Sequence, residues 1–221
     1  FKELYVSIMD LASTVLPEVN LTGNRWLFQH LTQTLDARML KHLAKADDSE
    51  LFSSISINLN ISTIMSPDFL VFDSSLRTGS RGTIVIELQP ADVFSDFNAF
   101  MFARDFLREK GYRVCLDGIS VSLFEFIDRK RLGLDLVKLF WAPEIGEAAS
   151  AERRELIRTQ INELGRSRII LSRCDTPSSI RVGQELGVSL YQGRYIDKVL
   201  HDSRNEAPIP RPQRRRRTTA R

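Results

Sequence analysis

The stretch GYRVCLDGIS, residues 111–120, decides the fold of this protein. Its apolar run, residues 112–116, is bounded by Gly111 and Gly118, which is typical of a buried β-strand. The run ends in one carboxylate, Asp117, and we expect the chain to break into a loop at Gly118. A charge is costly to bury without a partner, so an acid at the end of a buried strand marks a candidate functional position.

Similar apolar runs recur along the chain and alternate with helical patterns. Besides 112–116, the predicted strands are 3–8, 54–59, 83–88, 134–139, 168–171 and 188–191. Helices are predicted over 23–46, before Gly111 and before Gly165. Strands that are apolar throughout and separated by helices form parallel crossovers. Seven of them predict an α/β fold, a TIM-like (β/α) barrel that lacks its first strand in this chain.

Composition limits the class of protein. The chain has 221 residues, of which 43% are apolar, and this is enough for one substantial core. It has no apolar run of about 18 residues, the length that spans a bilayer. Its two cysteines, Cys115 and Cys174, lack the spacing of a disulfide framework or a zinc site. We therefore expect a cytoplasmic protein. Because the first strand begins so close to residue 1, we also expect a further domain on its N-terminal side.

Positive charge is concentrated at the C-terminus. Residues 202–221 contain seven arginines against Asp202 and Glu206, a net charge of +5, while the whole chain carries only +3. The segment APIPRPQRRRRTTAR is rich in proline and arginine and nearly free of apolar residues, which predicts a disordered basic tail. Its Arg214–Arg217 run could bind nucleic acid or an anionic surface. A solubilising tail without a partner is the simpler interpretation.

Polar residues recur at the predicted strand ends. Parallel barrel strands bring their carboxyl ends to one face, where chemistry collects. The residues predicted there are Glu3, Asn58, Glu87, Asp117, Lys138 and Gln192. Carboxylate and amide oxygens suit Mg²⁺ or Mn²⁺, and a lysine beside them could contact a phosphate. Each residue alone is more simply explained as solvated or hydrogen-bonded to a loop, and the order of all six together carries more weight.

The order of these residues resembles the EAL domain, a family of bacterial phosphodiesterases that hydrolyse cyclic dimeric GMP. ISINLN is similar to the V-N-L-S strand of the family, VIELQP to E-L-T-E, GYRVCLDGIS to G-x-x-x-A-L-D-D-F-G, DLVKLF to D-x-x-K-I-D, RIILSRCDT to V-I-A-E-G-V-E-T, LGVSLYQGRYI to G-x-x-x-x-Q-G-Y, and FKELYVSI to E-A-L-L-R. The resemblance implies that Glu3, Asn58, Glu87 and Asp117 stand where family members hold a catalytic metal. It also implies that Lys138 and Gln192 are ligand-binding residues, since Lys138 matches the active-site lysine and Gln192 the glutamine near the end of the barrel.

The same resemblance shows what this chain lacks. Gly118 replaces the second of two successive aspartates, which in hydrolysing members helps to hold a second metal ion. Phe140, Ser172 and Ser7 replace an aspartate, a glutamate and a phosphate-binding arginine. Two-metal hydrolysis depends on charge neutralisation and an activated water, so these losses together predict little or no activity.

Residues 1–201 are therefore interpreted as a degenerate EAL-like barrel, and 202–221 as its tail. We expect a catalytically inactive regulatory or scaffolding module in bacterial signalling, which acts on another protein or a neighbouring domain. No cofactor is required, although a single Mg²⁺ or Mn²⁺ could bind at the remnant site. A receptor that binds cyclic dimeric GMP without cutting it is the main alternative, and an active phosphodiesterase is a weaker one.

Overall fold

Seven parallel strands form the centre of the molecule in the computed structural model, which describes residues 2–4, 23–45, 54–146 and 148–205. The strands are β1 (Lys2–Leu4), β2 (Ile55–Asn58), β3 (Ile84–Leu88), β4 (Arg113–Ile119), β5 (Leu136–Phe140), β6 (Ile169–Ser172) and β7 (Leu190–Tyr191). Each pairs with the next strand along the chain, in the order β1 to β7. The predicted α/β class and TIM-like barrel architecture are confirmed.

Helices connect the strands. They are α1 (Arg25–Leu43), α2 (Ile61–Ile64), α3 (Pro67–Ser75), α4 (Pro90–Ser95), α5 (Phe97–Lys110), α6 (Val121–Phe124), α7 (Arg129–Leu132), α8 (Ala151–Leu164), α9 (Pro177–Glu185) and α10 (Arg194–Asn205). Short side chains start several of them: Asp96 accepts from the Ala99 amide, and Ser150 does the same for Arg153. Within the described ranges, no helix combines the length and the apolar character needed to cross a membrane.

The sheet curls, so strands distant in its order come together. In a flat sheet with strands about 4.8 Å apart, β1 and β5 would lie about 19 Å from each other. Instead, the Nζ atom of Lys138 on β5 lies 3.1 Å from a carboxylate oxygen of Glu3 on β1. Gln192, just after β7, also hydrogen-bonds Glu3. The polar strand ends therefore face a common centre.

Alternation along the strands separates two cores. Ile57, Ile86 and Val137 point outward and pack in the large apolar core beneath the helices. The residues between them point into the barrel, where one layer contains Val85, Cys115, Leu136 and Ile170. Two residues further along the same strands lies the polar layer, which contains Glu87 and Lys138. This two-residue period places buried apolar groups beneath the polar ones.

Strand β4 does not end where the sequence predicts. It continues through Asp117 and Gly118 to Ile119, and the predicted end at residue 116 is wrong. Leu116 pairs with Val137 while Ile119 pairs with Leu139, so β4 contains one extra residue. Gly118 has φ +77°, which a glycine adopts without strain. The resulting β-bulge keeps Asp117 pointing inward and returns Ile119 to the outer core.

Most other predicted boundaries lie within two residues of the observed ones. Helix α5 ends before Gly111, which has φ +91°, and α8 ends before Gly165, as the sequence predicts. The last helix runs to Asn205, so the first four residues of the predicted tail are helical. Three predicted features lie outside the described residues: the Arg214–Arg217 contact, Ser7 and most of the strand predicted over 3–8. The expected absence of the first barrel strand and the expected upstream domain stay predictions.

Candidate functional site

A buried lysine lies at the centre of three carboxylates at the strand ends. The Nζ atom of Lys138 is 2.7 Å from Glu87 Oε2, 3.1 Å from Glu3 Oε2 and 3.9 Å from Asp117 Oδ1. Lys138 is 1% exposed and Glu87 is fully buried. We call these four residues the lysine cluster. Three of its members come from strands β3, β4 and β5 and the fourth from β1, which meet because the sheet curls.

Amide side chains complete the hydrogen bonding of the cluster. Asn58 donates to Glu3 Oε1 at 2.8 Å, and Gln192 donates to the other oxygen of the same carboxylate. Gln89 donates to Asp117 Oδ2 at 2.9 Å. All six residues predicted from the strand ends are therefore brought together. Gln89, which follows β3 directly, was missed, although its position after a strand would have indicated it.

The cluster keeps the lysine charged. Burial acts against the ammonium, but Glu87, Asp117 and Glu3 outweigh it and raise the pKa of Lys138 above its usual value. Burial also acts against the Glu3 carboxylate, yet Lys138 and the two amide donors lower its pKa. Lys138 and Glu3 thus form an ion pair over the neutral pH range.

The other two carboxylates take up protons more readily. Burial raises the pKa of Glu87 to about 7, with Lys138 opposing the shift and Glu3 adding to it. Burial likewise raises the pKa of Asp117. The Glu87 Oε1 atom is buried without a hydrogen-bond partner among the described residues. Protonation at this oxygen would therefore break no hydrogen bond, whereas Oε2 already accepts one from Lys138. Beneath them, burial and Glu87 raise the pKa of the Cys115 thiol, which stays uncharged.

The oxygen donors of the cluster do not form a metal cage in this arrangement. They point at the ammonium of Lys138, the position that a cation shared by the three carboxylates would need. Within the described ranges, no group of three or more His, Cys, Asp or Glu side chains is placed to hold a metal ion. A single ion at Glu3, Asn58, Glu87 and Asp117 stays a prediction.

Gly118 and Phe140, which the sequence resemblance marked as departures from the EAL pattern, lie next to each other. A Cβ atom on Gly118 would lie 3.1 Å from Cζ of Phe140, which is tighter than an ordinary contact. The aromatic ring therefore fills the space beside Gly118 that a side chain there would need. The hydroxyl of Ser172 is already used in a hydrogen bond, since it donates to the Leu139 carbonyl at 3.2 Å.

Two cavities flank the lysine cluster. One of about 310 Å³ opens on Glu3, Asp117, Lys138 and Gln192, and its rim includes Arg173 and Arg194. The other, of about 200 Å³, lies beneath α1 and reaches Asn58 and Glu87. Its wall includes Leu35, Met39 and Leu59, with the buried Asp36 at its base. Sequence reasoning missed both arginines, although Arg173 directly follows β6 and Arg194 follows the Gln192-Gly193 turn.

Comparison with known proteins agrees with this geometry. A sequence model described as the EAL domain matches residues 21–198. The EAL domain of FimX from Xanthomonas citri, in complex with c-diGMP, superimposes with a TM-score of 0.59 at 14% identity, and the match covers 86% of this chain and 73% of that one. No curated protein sequence matches.

Larger proteins show the same fold. The S helix-GGDEF-EAL part of LapD from Vibrio cholerae matches with a TM-score of 0.57 at 19% identity over 78% of this chain. BlrP1 from Klebsiella pneumoniae, in a manganese and cyclic-diGMP complex, matches with a TM-score of 0.54 at 17% identity over 85% of this chain. This chain spans 44% of that LapD chain and 47% of that BlrP1 chain. At such identities the likeness establishes the fold alone.

Proposed function

The chain belongs to the EAL domain family, and from this premise we propose that it is a non-hydrolysing regulatory or scaffolding module in cyclic dimeric GMP signalling. The contact between Gly118 and the Phe140 ring carries the proposal. The residue after Asp117 offers no ligand, and the neighbouring space is filled by an aromatic group that cannot bind a cation through oxygen. A second metal ion beside Asp117 would need both residues to change.

The lysine cluster supports the same conclusion. Hydrolysis of a phosphodiester needs a cation at the reacting phosphate and a base that activates water. Here the positive charge of Lys138 is neutralised within the protein, because its ammonium lies beside all three carboxylates. Glu87 is fully buried, and one of its carboxylate oxygens is held by Lys138. Neither group is free to act on a substrate.

A hydrolysis assay tests this proposal. The chain is incubated with cyclic dimeric GMP and either Mg²⁺ or Mn²⁺, and the linear dinucleotide is separated by chromatography. A family member that hydrolyses the substrate provides the positive control under the same conditions. We expect no linear product above the protein-free background. Turnover at an enzyme-like rate, abolished by Glu87→Gln, would overturn the proposal.

A second candidate function is a receptor that binds cyclic dimeric GMP without cutting it. The two cavities favour it, because both are lined by residues at the strand ends and each could take one half of a two-base ligand. The FimX structure shows an EAL domain in complex with this dinucleotide. Titration calorimetry tests the idea: a saturable heat supports a receptor, and no heat contradicts it.

Protein contacts are the other part of the proposed role. Helix α10 leaves Val199 and Leu200 about half exposed, while Ile196 on the same helix packs against the core. These two exposed apolar side chains are a candidate contact for a neighbouring domain or partner protein. Pull-down of candidate partners with wild-type protein and with a Val199→Asp variant measures its use. Binding of nucleic acid or an anionic surface through Arg214–Arg217 remains a separate prediction, tested by its salt dependence.

A further inference from the structure

Arg173 has an unusual backbone conformation and an unusual contact. Its φ angle is +60°, and among the described residues it is the one non-glycine residue with positive φ. Its guanidinium carbon lies 3.6 Å from the centre of the Phe140 ring, the distance of a face-on cation–π contact. A strained backbone that persists beside a cavity indicates a role that outweighs the strain.

The charges of the other cations around this cavity are already paired. Lys138 is held by the lysine cluster. Arg194 forms a two-point contact with Asp175, at 2.7 and 3.1 Å, and its backbone amide donates to the same carboxylate. Arg173 is exposed, and no hydrogen bond or ion pair of its side chain is found with the described residues, although its charge helps Arg194 to lower the pKa of the nearby Asp175. Its contact with Phe140 uses the face of the guanidinium and leaves the in-plane donors available.

An anionic ligand needs such a cation here. The lysine cluster combines one positive and up to three negative charges, so by itself it repels phosphate. A guanidinium presents a planar fork of donors that matches two oxygens of a phosphate. Stacking on Phe140 fixes its orientation before the ligand arrives, which lowers the entropy lost on binding.

We propose that Arg173, held against Phe140, binds a phosphate of a cyclic dinucleotide in the 310 Å³ cavity. This rests on the receptor function proposed above and names the group that recognises the ligand charge. Arg173 is the binding residue, and Phe140 is a positioning residue that acts through it. The positive charge that faces the phosphate is the guanidinium of Arg173.

Calorimetric titration of cyclic dimeric GMP into four variants tests the proposal. Arg173→Gln removes the charge, and we expect roughly 10- to 100-fold weaker binding, the range for a charged hydrogen-bonded contact. Arg173→Lys restores charge without the planar fork, so it recovers only part of the affinity. Phe140→Leu keeps the charge but frees the side chain, and a smaller loss is expected. Arg131→Gln, on an exposed arginine of α7, is the matched control.

Thermal melting separates binding from folding. Arg173→Gly removes the strain of the positive φ angle, so we expect a higher melting temperature together with the same loss of affinity as Arg173→Gln. If Arg173 had only a structural role, Arg173→Gly would lower both the melting temperature and the affinity for the dinucleotide. Wild-type binding with unchanged affinity in Arg173→Gln would overturn this proposal and leave the receptor function intact. Absence of wild-type binding would overturn the receptor function and this proposal together.

Discussion

Removal of the Lys138 ammonium is the perturbation that the structure predicts most sharply. Lys138→Met keeps most of the side-chain volume and leaves three carboxylates without their shared cation. At the observed separations of 2.7, 3.1 and 3.9 Å, each attraction is roughly 4 to 6 kcal/mol at an effective dielectric constant of about 20. Most of this offsets the desolvation of the charges. Breaking such a buried arrangement typically costs about 3–5 kcal/mol, which is the expected fall in the free energy of unfolding.

The loss should depend on pH in a defined direction. In the wild type, Lys138 lowers the pKa values of Glu87 and Asp117 against the effect of burial. Without it, both pKa values rise further. A carboxyl whose folded pKa is raised destabilises the fold as pH climbs from its unfolded value through the folded one. The variant should therefore be weakest relative to wild type at pH 8 and closer to it at pH 5.

Urea unfolding at the two pH values measures this. Lys41→Met is the control, because Lys41 forms an exposed ion pair with Asp68 at 3.3 Å and should change stability by less than about 1 kcal/mol. Equal stability of Lys138→Met and wild type at pH 8 would refute the reasoning. It would mean that water, and not the ammonium, compensates the carboxylates.

Three further predictions concern the site and its support. The raised pKa of Glu87, about 7, should make the wild-type free energy of unfolding fall by up to about 3 kcal/mol as pH rises from 4.5 to above 7; Glu87→Gln should flatten this part of a urea-derived pH series. Gly118→Asp should lower stability by about 1–2 kcal/mol, because of its φ of +77° and the nearby Phe140 ring, without producing linear dinucleotide; product in chromatography would contradict the proposed inactivity. Gly193→Ala should cost more than about 3 kcal/mol, since its Cβ would lie 2.4 Å from the backbone nitrogen of Cys174; an unchanged melting temperature would show that this turn yields easily.

Much of the fold could be predicted because it depends on local patterns. Apolar runs gave the seven strand positions, and glycines marked the ends of α5 and α8. The exception is β4, where Gly118 looked like a strand end and is instead part of a bulge. A glycine with positive φ fits both a turn and a bulge, so the local sequence cannot separate them. Only the pairing of Ile119 with Leu139 decides it.

The sequence by itself determined the family, the barrel architecture and the set of polar residues at the strand ends, because the period of a strand and the order of motifs are properties of the chain. The tertiary structure decided how those residues are used. The contact between Lys138 and Glu3 joins residues 135 positions apart and exists only because the sheet curls. The filling of the space beside Gly118 by Phe140, and the stacking of Arg173 on that ring, depend on which atoms meet across neighbouring strands. Such contacts are set by packing in three dimensions, which no spacing along the chain records.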